Sequence, residues 1–197
     1  MAWPELISLR GNLVSVVPLD HTHREDLAEA VADGALHKLW YTPIPAPDDM
    51  AEEIAQRLKL REAGSWLPFA VIETASDKAI GMTNYLNIDA ANRRLEIGGT
   101  WYRSSAQRSG VNTECKYLLL THAFEKLECN AVEFRTHVIN HRSRQAIERL
   151  GAKFDGILRS HMIMANGTLR DTCVYSIIAP EWPTVKAHLS WRMEQRR

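Results

Sequence analysis

The sequence predicts an α+β, three-layer protein: a mixed, mostly antiparallel sheet with one central parallel strand pair and helices on both faces. Three observations carry this. Residues 66–102 keep a period of two with short turns, the pattern of an antiparallel meander. The period then becomes 3.6 over 112–127 and returns to two over 131–138, a strand–helix–strand unit whose strands run parallel through a right-handed crossover. At 197 residues the chain can bury roughly 70% of its unfolded surface, enough for one full core without disulfides or metal. It is read as one domain over 1–197, with a C-terminal helix about 181–195 as an appendage.

Each element has its own local reason. Residues 5–17 alternate around Gly11-Asn12, giving strand, turn, strand. Thr22 and Glu25 read as a capping box, and Leu27, Ala30 and Val31 as the stripe of a first helix. Residues 36–40 continue as a short second helix, and Pro43, Pro45 and Pro47 stiffen the loop beyond it. Asp48 and Asp49 suit the positive end of a helix faced by Met50, Ile54 and Leu58 and stopped by Gly64. Strands follow at 69–74, 79–88 and 95–102, joined at Ser76-Asp77-Lys78 and Asn92-Arg93. Cys115, Leu118, Leu119, Ala123, Phe124 and Leu127 mark the long helix. Val132, Phe134, Thr136 and Val138 mark the next strand, and Ala146, Ile147 and Leu150 a helix closed by Gly151. Asn166-Gly167 turns a hairpin of strands about 153–164 and 170–178. Pro183 sits in the first turn of the last helix.

Composition excludes several classes. Lys plus Arg and Asp plus Glu are 24 each; only Arg192, Arg196 and Arg197 gather at the tail, so the phosphate-neutralising excess of a nucleic-acid binder is missing. Hydrophobic residues at 45% and charged residues at 24% argue against disorder. No apolar run reaches the roughly 18–20 residues of a membrane helix. MAWPELISLRG lacks the pattern of a signal peptide. Three scattered cysteines, Cys115, Cys129 and Cys173, suit reduced thiols in the cytoplasm. His21 and His23 lack a third ligand, and His122, His137, His141 and His161 show no ligand spacing, so no metal site is expected.

The chemistry-bearing stretch is Gln107-Arg108-Ser109-Gly110-Val111-Asn112-Thr113, between the strand at 95–102 and the long helix. Open N–H groups and the helix dipole make such a junction an anion site suited to a pyrophosphate. Arg103 and Arg108 can add charge, and Gly110 lets backbone approach an anion. It is neither a Walker A loop nor a dinucleotide fingerprint; the plain alternative is a helix start preceded by a turn. Gly98-Gly99 also interrupts its strand, which points to a bulge. A bulge would bend this strand away from 131–138 and open a groove where an amide-bearing, extended ligand could bond like a strand. Pantetheine fits that description.

With those residues the sequence resembles the Gcn5-related N-acetyltransferases, in particular the RimJ/RimL-type branch. Glu96-Ile97-Gly98, the loop Gln107 to Asn112, Asn140 to Ser143 opening a helix that closes on Leu150-Gly151, and the strand pair with Gly156-Ile157-Leu158-Arg159, Asn166-Gly167 and Asp171 before Tyr175-Ser176-Ile177 match in order over about residues 5–182. At the third loop position the family has Gly or Ala; here it is Asn112, a good helix cap. The resemblance implies a splayed parallel pair and acetyl-CoA as the cofactor, with coenzyme A released. Pantetheine would lie along 100–103, a backbone N–H near Trp101 or Tyr102 would hold the thioester oxygen, and residues 108–113 would take the pyrophosphate. Asn140 would bind the pantetheine arm and Ser143 face the sulfur, with Arg142 and Arg144 toward the adenosine phosphate.

Glu96, a carboxylate inside an apolar strand, is the candidate base, with a pKa raised by burial; the rival role is an ion pair with Arg94 or Arg135. Ser143 is the candidate proton donor to the thiolate, with helix capping as the alternative; Tyr175 is a second candidate acid. Cys115 is read as a core residue, which rejects a covalent acetyl-cysteine. Trp40, Tyr41, Asn84 and Tyr85 are candidate acceptor-side residues, and Trp66 is read as packing. The expected function is direct acetyl transfer to a primary amine of a small or amino-acid-like molecule. The alternatives are a protein N-terminus, or a CoA-binding module without turnover. Neither a membrane nor a nucleic acid is an expected partner; dimers are common in the branch, so a homodimer is a further possibility.

Overall fold

A computed structural model describes residues 3–195; Arg196 and Arg197 of the basic tail lie outside the described residues. Eight strands form one sheet in the order β1-β2-β3-β4-β5-β6-β8-β7. They are β1 (Leu9–Arg10), β2 (Val14–Pro18), β3 (Trp66–Glu73), β4 (Lys78–Asp89), β5 (Arg94–Tyr102), β6 (Ala131–His137), β7 (Lys153–Ile163) and β8 (Leu169–Ile178). The helices are α1 (Arg24–Ala32), α2 (Met50–Glu62), α3 (Val111–Glu125), α4 (His141–Glu148) and α5 (Trp182–Glu194). The expected mixed sheet is therefore present. Its only parallel pair is β5–β6, and every other neighbouring pair is antiparallel.

Alternation along the strands divides two cores between the sheet faces. One packs α1 and α2 on Ala70, Met82 and Trp101 through Leu27, Val31, Met50 and Ile54. The other packs α3, α4 and α5 on Phe69, Tyr85, Ile97 and Val132 through Leu119, Leu120, Ile147 and Trp182. Each fully buried Leu of α3 contributes about 1.5–3 kcal/mol. The ring of Trp182 stacks on Phe124 at 5.2 Å, so α5 shares this core. The first helix differs from expectation. Asp20, two residues ahead of Thr22, accepts from the Thr22 N–H and caps a short 3-10 turn, His21–His23, that leads into α1. The Thr22 hydroxyl itself donates to Asp20 Oδ1, so it is taken up by the Asp cap and does not act as one.

β5 pairs with β6 only at Arg94↔Ala131, Leu95↔Val132 and Glu96↔Glu133. From there β6 continues against β8 as far as His137↔Thr172, while β5 continues against β4 to Tyr102↔Gly81. Their facing edges separate beyond Glu96. The cause is local. Between Asn84↔Gly98 and Met82↔Trp101, β5 takes three steps where β4 takes two, an inserted residue that bends the strand. Gly99 has φ +56° there.

The bend is braced from α2. The Asn84 amide donates to Gly98 O at 2.8 Å, and Arg57 donates to Asn84 Oδ1 at 3.0 Å. Arg57 is itself held by Glu53 at 2.6 Å and lies 5.8 Å over the Trp66 ring. A Cβ at Gly99 would stand 2.6 Å from Asn84 Nδ2. Gly99→Ala adds left-handed strain to that collision and should cost about 2 kcal/mol. Calorimetry should show a Tm several degrees lower; an unchanged Tm would mean that the bend does not need glycine.

Candidate active site

The fork between β5 and β6 opens onto the start of α3. A 3-10 turn, Ser104–Ala106, leads into Gln107 and Arg108. The Ser109 hydroxyl donates to Ala106 O at 2.6 Å and accepts the Val111 N–H at 3.2 Å. The next two N–H groups, of Asn112 and Thr113, find no acceptor among the described residues. That leaves two donors at the positive end of a 15-residue helix, the arrangement that binds phosphate oxygens. The left-handed residue of the loop is Arg108 (φ +62°), whereas Gly110 has an ordinary φ of −73°. Gly110 instead makes room for Leu13, whose Cδ1 lies 2.6 Å from where a Cβ would stand. Loop residues Arg108 to Val111 and Thr113 line a groove of about 920 Å³ whose far wall includes Asn12 and Leu13 of the β1–β2 turn.

The other predicted cofactor residues divide. Gln107 ties the site together: its amide donates to Tyr102 O at 3.1 Å and its carbonyl accepts from Arg142 at 3.2 Å. Asn140 caps α4, accepting the Ser143 N–H at 3.1 Å, and the Ser143 hydroxyl bonds nothing among the described residues. Three side chains point elsewhere. Trp101 is buried in the α1–α2 core, Tyr102 in the α3 core, and Arg103 bonds Glu73 at 2.9 Å. Trp101 and Tyr102 bring backbone alone to the fork. Arg144 donates to the Tyr175 hydroxyl at 3.0 Å and to Val138 O at 3.3 Å, which locks the corner between β6 and α4. Tyr175 in turn donates to Glu148 at 2.9 Å, so its hydroxyl is committed away from any thiolate.

Glu96 sits at the last paired position of the fork and is only 5% exposed. Its Oε2 accepts from Asn87 at 2.7 Å and lies 3.4 Å from Arg135 Nε, an ion-pair distance without hydrogen-bond alignment. The ion pair with Arg135, read from the sequence as the rival role, is therefore present. Burial raises its pKa to about 7, with Arg135 and Asn87 opposing the rise. Arg135 is shared with Glu133, which also binds Arg94, and this sharing weakens its hold on Glu96. A Cβ on Gly98 would come within 2.7 Å of Glu96 Oε1, so the glycine leaves that oxygen clear.

The acceptor-side expectations need correction at two positions. Tyr85 is fully buried on the α3 face and donates to Leu119 O at 2.6 Å. Asn84 is on the α2 face but is fully buried and spent on the bulge. Adjacent strand residues face opposite sides, so the two could never have lined one pocket. Trp40 and Tyr41, in the loop beyond α1, set their rings edge-on to His137 of β6 at 5.7 and 6.5 Å. Trp40 is 51% exposed.

Sequence reasoning missed Arg57, Glu114 and Lys116. All three lie on the apolar side of their helices, beside Ile54 and Leu58 or Cys115 and Leu119, and that placement was the available signal. The Lys116 ammonium donates to the hydroxyls of Thr83 (3.1 Å) and Thr100 (2.6 Å), and burial pulls its pKa down to about 8. Cys115 is buried with its thiol pKa raised by desolvation, a core residue rather than a nucleophile.

A mixed sheet that forks between two parallel strands above the N-terminus of a long helix is the fold of the Gcn5-related acetyltransferases. The chain belongs to this family: the model described as "Acetyltransferase (GNAT) domain" matches residues 14–153. Among curated relatives, "Putative ribosomal N-acetyltransferase YdaF" of Bacillus subtilis (strain 168) is 36% identical over 102 residues, 52% of this chain and 55% of that protein. The chain thus spans about half of that relative. A GCN5-related N-acetyltransferase from Brucella melitensis superposes with a TM-score of 0.85 at 32% identity, over 95% of this chain and 86% of that one. Mycobacterium smegmatis RimJ, solved with CoA-disulfide, shares the fold with a TM-score of 0.78 at 20% identity, over 97% and 96%.

Proposed function

We propose that this protein transfers an acetyl group from acetyl-CoA directly to a primary amine, with the whole chain acting as one catalytic domain. The observation that carries this is the β5–β6 pairing that ends at Glu96 above the open N–H groups of α3. The residues fit the cofactor. Unpaired strand edges suit the two amides of pantetheine, and the Asn112 and Thr113 N–H groups suit the pyrophosphate. The acetyl thioester supplies the electrophilic carbon. Glu96, directly or through a water, takes the amine's proton as the N–C bond forms and the C–S bond breaks. The Ser143 hydroxyl, or water, gives a proton to the thiolate, and solvent carries the proton held by Glu96 back to that donor, so both groups are restored.

The first reading of the acceptor is a small or amino-acid-like amine. The names of the relatives favour a second, a peptide or protein N-terminus. Both fit an acceptor mouth roofed by the exposed Trp40. A cytoplasmic setting belongs to the same reading and is supported by three unpaired, buried thiols; among the described residues no helix is long and apolar enough to cross a membrane. If the protein pairs with itself, edge strand β7 is the surface to serve, exposing Phe154, Ile157, Met162 and Ile163.

The test follows release of the CoA thiol across a panel of free amines and peptides. Turnover with either class supports acetyl transfer, and which class turns over decides between the acceptors. Tight CoA binding with no turnover anywhere would make the protein a binding module. Ser143→Ala should lower kcat by about 10²-fold if the hydroxyl donates the proton; unchanged kcat would assign that role to water.

A further inference from the structure

The face of the sheet that carries Glu96 continues across β6 and β8. Glu133, Arg135 and His137 project there from β6, and Thr172 and Arg170 from β8, with His137 directly opposite Thr172. The charges nearest Glu96 answer one another: Arg94 pairs with Glu133, and Arg135 is shared between Glu133 and Glu96. Arg170 stands outside this balance. Its Nε donates to Thr172 Oγ1 at 3.0 Å, and its terminal nitrogens make no hydrogen bond or ion pair among the described residues. It is partly buried, and its charge is felt by both Glu96 and His137.

His137 tells the same story from the other strand. Its Nδ1 accepts the Ile139 N–H at 3.3 Å, so in the neutral ring the hydrogen is on Nε2. Nε2 is buried and has no partner. A buried donor without an acceptor is costly, and so is a half-buried cation without a counter-ion. One site thus presents a half-buried guanidinium whose terminal nitrogens hold no ion pair among the described residues and an unanswered N–H, with the rings of Trp40 and Tyr41 edge-on to His137 and with Glu96 and Asp171 within electrostatic reach.

We infer that the amine acceptor carries a carboxylate, and that Arg170 and His137 form the subsite that receives it. The inference rests on the proposed acetyl transfer, with Glu96 marking the amine end. A carboxylate accepts from a guanidinium and a ring N–H together, and hydrogen bonds to charged groups are the strong ones. The rings of Trp40 and Tyr41 shield that contact from water. The carboxylate comes either from a free amino acid or from an acidic side chain close to a peptide N-terminus.

Calorimetric titration of the protein–CoA complex separates these sources. One arm uses α-, β- and γ-amino acids against their carboxamides. The other uses short peptides with Asp or Glu beside the N-terminus against the Asn or Gln forms. In at least one arm the carboxylate form should bind about tenfold tighter or more. That advantage should shrink to within about twofold in Arg170→Gln and survive in part in Arg170→Lys, with CoA affinity and Tm held. The inference is overturned if neutral forms bind equally well, if no carboxylate form binds a complex that does hold CoA, or if Arg170→Gln keeps the preference. Failure of CoA itself to bind would instead remove the proposed acetyl transfer, and this subsite with it.

Discussion

Replacing Glu96 with glutamine is expected to lower kcat by about 10²–10³, the usual contribution of a positioned general base. The pH profile should change with it. With a pKa of about 7, the wild-type carboxylate is protonated below that pH and available as a base above it. Wild-type kcat/KM should therefore climb through pH 7 and level off, while the variant stays flat in that window. Stability should move the opposite way. The folded-state pKa stands above the ordinary 4.5, so the folded form keeps a proton that the unfolded chain gives up. Stability from this group is greatest below pH 4.5 and declines as pH rises from there through 7. Glutamine removes the decline, so the variant should gain up to roughly 3 kcal/mol relative to wild type between pH 4.5 and 8. Tm measured for both proteins at pH 5 and pH 8 checks this. A slow variant whose pH profile still rises through 7 would remove Glu96 as the base.

Glu114→Ala should be the most destabilising of these substitutions. The carboxylate is buried near the start of α3 and accepts three backbone N–H groups from the β1–β2 turn: Asn12 (3.0 Å), Leu13 (2.7 Å) and Val14 (2.9 Å). Val14 is fully buried, whereas Asn12 and Leu13 can recover water. Losing three charge-assisted bonds, one with no substitute, should cost about 3 kcal/mol and lower Tm by roughly 6–12 °C. Because the same turn walls the groove beside residues 108–113, CoA affinity measured by calorimetry should fall too. Glu114→Gln keeps one acceptor oxygen and should fall between the two. Loss of stability with unchanged CoA affinity would separate the turn from the cofactor site.

Most of the architecture was legible because it follows from local periods. The glycine pair at 98–99, the loop at 107–113 and each separate strand or helix of the strand–helix–strand unit can be read within a window of about a dozen residues. The same reading errs where the competition is between neighbours. Asp20 takes the cap assigned to Thr22. Asn84 and Tyr85 are neighbours in sequence, but a strand sends them to opposite faces. Arg103 and Arg144 are cations near an anion site, but Glu73 and Tyr175 hold them elsewhere.

The sequence by itself determined the order of elements, the place where β5 bends, and the helix start that faces the fork, since each depends on residues close together in the chain. Only the tertiary structure decided how charges are shared. Glu114 meets a turn about a hundred residues upstream, Arg57 on α2 steadies the bend in β5 through Asn84, and Arg170 on β8 comes within reach of Glu96 on β5 across β6. Such pairings depend on which faces and edges the packed sheet brings together, and spacing along the chain carries no record of that.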